Sequence, residues 1–378
     1  MRIVVLGGGR VGAAMVRDLV ADGDFEVTLV DASQSTLDGF KDEPVRCEHA
    51  DLSSAAEVQR VVADQDLVIG AVPGPMGFDT VKAVIEAGKN IVDISFFEQD
   101  AFELHALAEE KGVIALVDCG VAPGASNLIL GRMEEELDSV ESFACYVGGL
   151  PVARTWPYEY KAPFSPIDVI AEYTRPVRLR EYGQDVVRPA LGRSEMLHFD
   201  EIGTLEAFET DGLRSLMLTS KIPNMIEKTL RYPGHREKME VLRDTGFFDE
   251  EPMALRDGTT VKPVDVAAEL LFKQWQSQPG EEEFTVLRVI VEGTKDGQKK
   301  RHTFDLFDRT DKATGTSSMA RTTGYTCTAM ARLVAGGHFQ TVGISPPEKV
   351  GCLKDCYDRI MADLEARGVR YKETVEDV

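Results

Sequence analysis

Glycine recurs at Gly7, Gly9 and Gly12 directly after the apolar run 3–6, and an acid, Asp31, closes the next apolar run, 25–30. Each glycine in such an arrangement has its own job. Gly7 permits a tight turn off a strand, Gly9 lets a pyrophosphate approach the backbone, and Gly12 lets the following helix pack closely on the sheet. The helix predicted over residues 11–22 then turns its free N–H groups and the positive end of its dipole toward the phosphates. The pattern predicts a bound dinucleotide, with Gly7, Gly9, Arg10, Val11 and Gly12 around it. A carboxylate at the tip of the second strand accepts ribose hydroxyls and repels a 2′-phosphate, and Ala32, Ser33 and Gln34 supply no cation to offset that repulsion. NAD is therefore expected over NADP. Asp51 and Leu52, after the short run 45–48, fall where such folds line an adenine, and a cap ahead of Ser53 and Ser54 suits Asp51 equally. Pro73 and Gly74, in the loop Val72-Pro73-Gly74-Pro75, are expected near the cofactor at the carboxyl edge of the sheet.

Residues able to move protons gather further along. Asp118 and Cys119 open the glycine-rich loop 118–127, which ends a strand and begins a helix. They read either as neighbours of a nicotinamide or as a turn residue and a buried filler. Cys119 has no sequence neighbour that would stabilise a thiolate, which argues against a nucleophilic role. Glu159, Tyr160 and Lys161 set an acid, a phenol and an amine at one turn, all competent for proton transfer if burial shifts their pKa values. Arg175 and Arg321, in polar loops, suit either a bidentate grip on a carboxylate or a surface ion pair. His198, His235 and His302 lack metal-ligand spacing to one another or to cysteine, and Cys352 and Cys356 have no histidine nearby, so no metal is expected.

These residues need a scaffold. A chain of 378 residues, 43% hydrophobic and 28% charged, accommodates two globular domains. Apolar runs at 3–6, 25–30, 45–48, 67–70, 91–93 and 113–117 alternate with helical spacing, for example at 78–87 and 101–111. That alternation predicts an α/β fold: a Rossmann, doubly wound parallel sheet covered on both faces. After residue 120 longer strands are expected at 139–147, 186–190, 204–209, 284–293 and 302–308, with few helices between them, so the second domain is read as α+β on a mainly antiparallel sheet. Within it, 285–292, a turn at 293–297 and a strand returning through 304–306 form a hairpin. Helices are expected at 321–335 and from Pro346-Pro347-Glu348 to about residue 367. The division is 1–120 for the nucleotide domain, joined by 321–378, and 121–320 for a substrate-binding and dimerisation domain. A net charge of −22 argues against nucleic acid or anionic membrane as partner, and the lack of a leader or membrane-length apolar run gives a cytoplasmic expectation with reduced thiols.

The glycine fingerprint, Ile94-Ser95-Phe96-Phe97, Gly120-Val121-Ala122-Pro123-Gly124, Gly148-Gly149-Leu150-Pro151, Tyr160-Lys161 with Phe164-Ser165-Pro166, and the run from Lys228 to His235 together resemble the saccharopine dehydrogenase family. Within it the chain is similar to the lysine 6-dehydrogenases, in size and in the run from Leu205 to Arg214. The resemblance implies a subunit whose C-terminal helices rejoin the nucleotide domain and a homodimer built through the second domain's sheet. Two departures carry weight: Ala122-Pro123-Gly124 stands where saccharopine reductases tend to have Asp-Pro-Gly, and Ser126-Asn127 where they have an acid-His pair. The implied substrate is then a primary amine, L-lysine, oxidised at its ε-carbon with NAD to the 6-semialdehyde and ammonia. Asp118 or Glu159 is expected as base or water activator, Tyr160 and Lys161 as orienting groups, and Arg175 or Arg321 as the carboxylate grip. The alternatives are a saccharopine-type enzyme acting on a secondary amine and, from another class, an NAD(H)-sensing regulator without turnover.

Overall fold

The computed structural model describes residues 1–162, 166–278 and 280–378. Backbone contacts divide it into two compact units, Met1–Ser139 with Ala320–Tyr371, and Val140–Met319 with Lys372–Val378. The first unit opens with β1 (Arg2–Leu6), α1 (Arg10–Asp22), β2 (Glu26–Asp31), α2 (Gln34–Asp38), β3 (Arg46–His49), α3 (Ala55–Val62), β4 (Leu67–Gly70) and α4 (Gly74–Glu86). It continues through β5 (Asn90–Asp93), α5 (His105–Lys111), β6 (Ile114–Leu116) and α6 (Ala125–Glu136). Strands buried on both faces must be apolar throughout, and Ile3, Val4, Val5 and Leu6 of β1 are all fully buried. Helix α4 starts at Gly74, with Pro73 as its cap, so Gly74-Pro75 is a first helical turn and not loop. Proline is at home there because the first N–H groups of a helix have no partner to lose.

The second unit holds β7 (Ser139–Pro151), α7 (Pro166–Thr174), β8 (Val177–Glu181), β9 (Gln184–Arg188), β10 (Glu195–Phe199), β11 (Gly203–Glu209), α8 (Leu216–Thr219) and β12 (Asn224–Arg231). Then come α9 (His235–Asp244), β13 (Met253–Ala254), β14 (Thr260–Val261), α10 (Pro263–Trp275), β15 (Glu283–Lys295) and β16 (Gln298–Arg309). Its large sheet runs β10-β11-β12-β7-β15-β16 and ends on a strand of the C-terminal segment, β18 (Tyr371–Asp377), with β8 paired to β12 and β9 to β8. Most described pairs are antiparallel, but β12 and β7 run parallel. Three helices of nine residues or more, α7, α9 and α10, stand between these strands where few were expected. The hairpin turn is shorter than the sequence suggested. Asp296 (φ 52°) and Gly297 (φ 76°) make a two-residue turn, and both strands run on to Lys295 and Gln298.

The chain then rejoins the first unit through α11 (Ser318–Ala335), β17 (Gly343–Ser345), α12 (Pro347–Gly351) and α13 (Lys354–Ala366), before β18 (Tyr371–Asp377). Strand β17 pairs with β6 and completes a seven-stranded parallel sheet, order β17-β6-β5-β4-β1-β2-β3. The single long helix expected from Pro347 is broken at Cys352-Leu353, and the last residues form a strand instead of a helix. Helix α6, beyond the expected boundary at 120, belongs with the first unit because it packs on α12 at backbone distance. A Cβ on Gly131 would lie 2.1 Å from the Glu348 carbonyl oxygen, and one on Gly351 would lie 2.1 Å from that of Leu128. Arg332 and Arg367 bind Asp18 and Asp22 of α1 and Asp363 of α13, tying the C-terminal helices to the first one. Among the described residues, no helix is long and apolar enough to cross a membrane.

Candidate functional site

In the first unit the glycines divide as their spacing predicts. Gly7 has φ 106° and a Cβ on it would fall 2.5 Å from the Ala71 carbonyl oxygen; one on Gly12 would fall 2.0 Å from that of Gly7. Both are fixed by backbone approaching backbone. Gly9 differs: a Cβ there meets nothing within 4 Å, and as the cap of α1 it provides no side chain to occupy the helix N–H groups. The open side of the turn is where a pyrophosphate fits. Asp31 stands at the end of β2 with Oδ2 accepting from Gly8 N at 2.6 Å and Oδ1 from Ser33 N at 2.7 Å. The two bonds orient the carboxylate and leave each oxygen a lone pair for a ribose hydroxyl. Arg10 is exposed and Val11 half-buried at the start of α1. Asp51 is exposed and accepts from Ser53 N at 3.0 Å; the Ser53 hydroxyl, and after it this amide, hold its carboxyl below the usual range, while Leu52 is buried. The cap of α3 is Ser54.

The loop after β6 is tied both to β5 and to itself. Cys119 N donates to the Asp93 carbonyl at 2.9 Å, and Ala125 N and Ser126 N donate to Gly120 and Val121 at 2.9 and 3.2 Å. Asp118 is buried with φ 58°, a left-handed conformation that aspartate tolerates better than most side chains. Cys119 is fully buried, and burial raises its thiol well above the ordinary range, so it is no thiolate nucleophile. Asn127 Oδ1 accepts from Gly124 N at 3.4 Å and Ser126 Oγ at 3.1 Å, and its Nδ2 donates to Glu348 Oε2 at 3.2 Å.

The second unit holds a buried polar cluster around Arg231, the last residue of β12. Its guanidinium lies 4.5 Å from the Tyr160 ring centre and donates to Glu172 Oε2 at 2.7 Å and to the Tyr173 hydroxyl at 3.4 Å. His235 Nδ1 sits 2.9 Å from the Tyr158 carbonyl, which can only accept, so the proton is on Nδ1. Nε2 then accepts from the Tyr173 hydroxyl at 3.0 Å. Burial, and after it the Arg231 charge, pull His235 down to about 3, while burial pushes Tyr173 up to about 12 and Glu172 upward. Trp275 packs edge-on against Tyr160 at 5.3 Å, fully buried, and its indole N–H has no hydrogen-bond partner among the described residues. The guanidinium is thus paired with Glu172 and packed among neutral phenols and a neutral imidazole, an arrangement that holds a charge in place. On the same strand, Glu227 accepts from Thr210 Oγ1 at 2.6 Å, and burial pushes its carboxyl up to about 8.

Tyr160 alone of the expected 159–161 trio joins this cluster. Glu159 (φ 51°) pairs with Arg154 at 2.5 Å, and Lys161 donates to the Gln274 and Gln276 carbonyls at 3.1 Å, fastening the C-terminal end of α10. Arg175 follows α7, half-buried, in the second unit. Arg321 lies on α11, within a helix and not in a loop, and donates to the Arg367 carbonyl at 3.1 Å in the first unit. Phe164 and Ser165 lie outside the described residues. The sequence assigns no chemistry to Glu172, Tyr173, Arg231 or Trp275, offers His235 only as a metal ligand without the spacing for it, and marks the Lys228–His235 run without a role.

Two family models cover the chain: the saccharopine dehydrogenase NADP binding domain over residues 3–116 and the saccharopine dehydrogenase C-terminal domain over 120–369. The mitochondrial alpha-aminoadipic semialdehyde synthase of Bos taurus is 22% identical over 98% of this chain and 47% of its own length. The saccharopine dehydrogenase [NADP(+), L-glutamate-forming] of Pyricularia oryzae is 26% identical over 66% of this chain and 58% of its own, and that of Schizosaccharomyces pombe 24% identical over 86% and 88%. The chain thus spans about half the length of the bovine and Pyricularia relatives. Apo saccharopine dehydrogenase (L-Glu forming) from Saccharomyces cerevisiae shares the fold, with TM-score 0.81 at 20% identity and 99% of both chains covered. With a glycine-loop nucleotide domain and a second domain each matched over nearly its whole extent, the chain belongs to the saccharopine dehydrogenase family.

Proposed function

We propose that this chain is an NAD-dependent dehydrogenase that oxidises the ε-carbon of L-lysine. The ε-ammonium, NAD and water give the 6-semialdehyde, ammonium, NADH and a proton. The observation that carries the choice of a primary amine is the 118–127 loop. Ala122 takes the place of an acid, and Ser126 and Asn127 are committed to bonds within the loop and to Glu348, so the loop brings one carboxylate, Asp118. A bound nicotinamide supplies the hydride acceptor.

The residues then divide the work. The ε-ammonium, with a pKa of roughly 10.4 in water, must lose a proton before its carbon can release hydride. Asp118 is assigned that proton and, afterwards, the activation of the water that hydrolyses the imine. Tyr160 stays a neutral phenol and orients the amine, while Glu159 and Lys161, held by Arg154 and by α10, keep the Tyr160 turn in place. The α-carboxylate is assigned to Arg175 or Arg321, and the second unit adds Arg231 as a third candidate. For the cofactor, Asp31 with its two amide donors, and no Lys or Arg from Ala32 to Thr36, supports NAD against the NADP of the matched domain's description. The proposal includes a homodimer formed through the second unit's sheet, which light scattering would measure.

The family match over nearly the whole chain favours one other reading, cleavage of a secondary amine of the saccharopine type. Purified protein is given NAD or NADP with L-lysine, L-ornithine, saccharopine or simple diamines, and reduced cofactor and ammonium are followed together. NADH and ammonium rising in step on lysine establish the proposal. Turnover of saccharopine without ammonium replaces it with the second reading.

A further inference from the structure

We infer that Glu348, on the C-terminal helix α12, is a positioning residue that sets the conformation of the 118–124 loop through Asn127, 221 residues away in sequence. The inference rests on the proposed role of Asp118 for its catalytic consequence, though not for its structural one. Glu348 is buried, and its Oε2 accepts from Asn127 Nδ2 at 3.2 Å. A side-chain amide is two-faced: turning it by half a revolution exchanges donor and acceptor. The Glu348 carboxylate, which only accepts, fixes Nδ2 on its own side. Oδ1 is thereby directed to Gly124 N at 3.4 Å and Ser126 Oγ at 3.1 Å. Gly124 (φ 141°) closes the loop on Gly120, so closely that a Cβ there would lie 1.7 Å from the Gly120 carbonyl oxygen. Asp118 and Cys119 lead directly into that closure. The two glycine contacts of α6 with α12 leave α12 little room to adjust, so Glu348 is presented at a fixed depth.

The polarity of the Glu348–Asn127 bond gives the test. In Asn127→Asp, two acceptors face each other, one carboxyl must take up a proton, and the arrangement survives only at acidic pH. In Glu348→Gln the amide carbonyl still accepts from Asn127. In the double variant, Asn127→Asp with Glu348→Gln, the amide introduced on α12 donates to the carboxylate introduced on α6, which restores the bond with its direction reversed. Hydrogen exchange at residues 118–125 and kcat on the best amine substrate are measured from pH 6 to 9, with NADH binding as a folding control. The expected result is faster loop exchange and kcat at least tenfold lower in Asn127→Asp, worsening as pH rises, with both restored to within about threefold in the double variant. A displacement of reacting groups by about 1 Å accounts for losses of that size. Loop exchange unchanged in Asn127→Asp, or a double variant no better than the single one, overturns the inference. Altered exchange with unaltered kcat keeps Glu348 as the loop's support and removes Asp118 from catalysis, which separates this inference from the function it rests on.

Discussion

Replacing Asp31 with serine and Ala32 with arginine tests the cofactor side of the site independently of the amine. On the proposed function Asp31 offers one carboxylate to the ribose of NAD, and it occupies the Gly8 and Ser33 N–H groups at 2.6 and 2.7 Å. Its removal deletes charge-assisted bonds to the ribose hydroxyls of NAD, worth about 1.5–3 kcal/mol, or roughly 10- to 150-fold in affinity. It also deletes repulsion: two unit charges about 5 Å apart in a medium of effective dielectric about 20 repel by about 3 kcal/mol, and a 2′-phosphate carries more than one. The two freed N–H groups and the new guanidinium then become donors to that phosphate. The terms sum to about 4.5–6 kcal/mol, so the ratio of NADPH to NADH affinity should rise by roughly 10³- to 10⁴-fold. Dissociation constants for both reduced cofactors, measured by nicotinamide fluorescence, check it. A ratio that moves less than tenfold would mean that Asp31 does not face the ribose and that the basis for preferring NAD is mistaken.

Three further outcomes follow from particular contacts. Arg231→Lys keeps a charge but loses the planar fork that reaches Glu172 and Tyr173, so KM for the amino acid should rise at least tenfold with NADH binding unchanged; steady-state kinetics with a binding control will show it. Glu227, raised in the folded chain to about 8 against an ordinary value near 4.5, binds more protons folded than unfolded between those limits. Its contribution is fully present below about pH 4.5 and is lost as pH rises to 8, so Glu227→Gln should leave stability at pH 4.5 little changed and raise it at pH 8, as read by urea unfolding at both. Gly351→Ala places a methyl group 2.1 Å from the Leu128 carbonyl oxygen, over 1 Å inside normal contact. The helices must part, at a cost of about 1–3 kcal/mol seen as a lower Tm.

The nucleotide domain was legible because its rules are local. Runs such as Ile3-Val4-Val5-Leu6 and Leu67-Val68-Ile69-Gly70 are buried on both faces and so are apolar without interruption, and glycines forced by backbone contact announce themselves by spacing. The second unit hid where charge is buried. Strand β12, Asn224–Arg231, carries Glu227, Lys228 and Arg231, all buried, so it has no apolar signature. Each is compensated by a partner far away in the chain: Thr210, Glu195 and Glu172. Helix α9 buries only His235 and Met239, too little to give a helical stripe. Strand β18, Tyr371–Asp377, is exposed along nearly its whole length and is held by pairs such as His302 with Glu373. A spacing rule finds a residue that acts through its own neighbours; Arg231 and Glu348 act through partners 59 and 221 positions distant.

The return of the chain to its first unit has a consequence for how the protein is made. Strand β17 and helices α11, α12 and α13 emerge from the ribosome only after the second unit, whose own sheet waits for β18. Until then β6 is an open edge and α6 lacks the helix its glycine face was shaped to meet. Such half-built surfaces invite pairing between nascent chains. Residues 318–377 therefore complete both units almost at once, and the interval before they are made is one in which unpaired edges are exposed to misassembly.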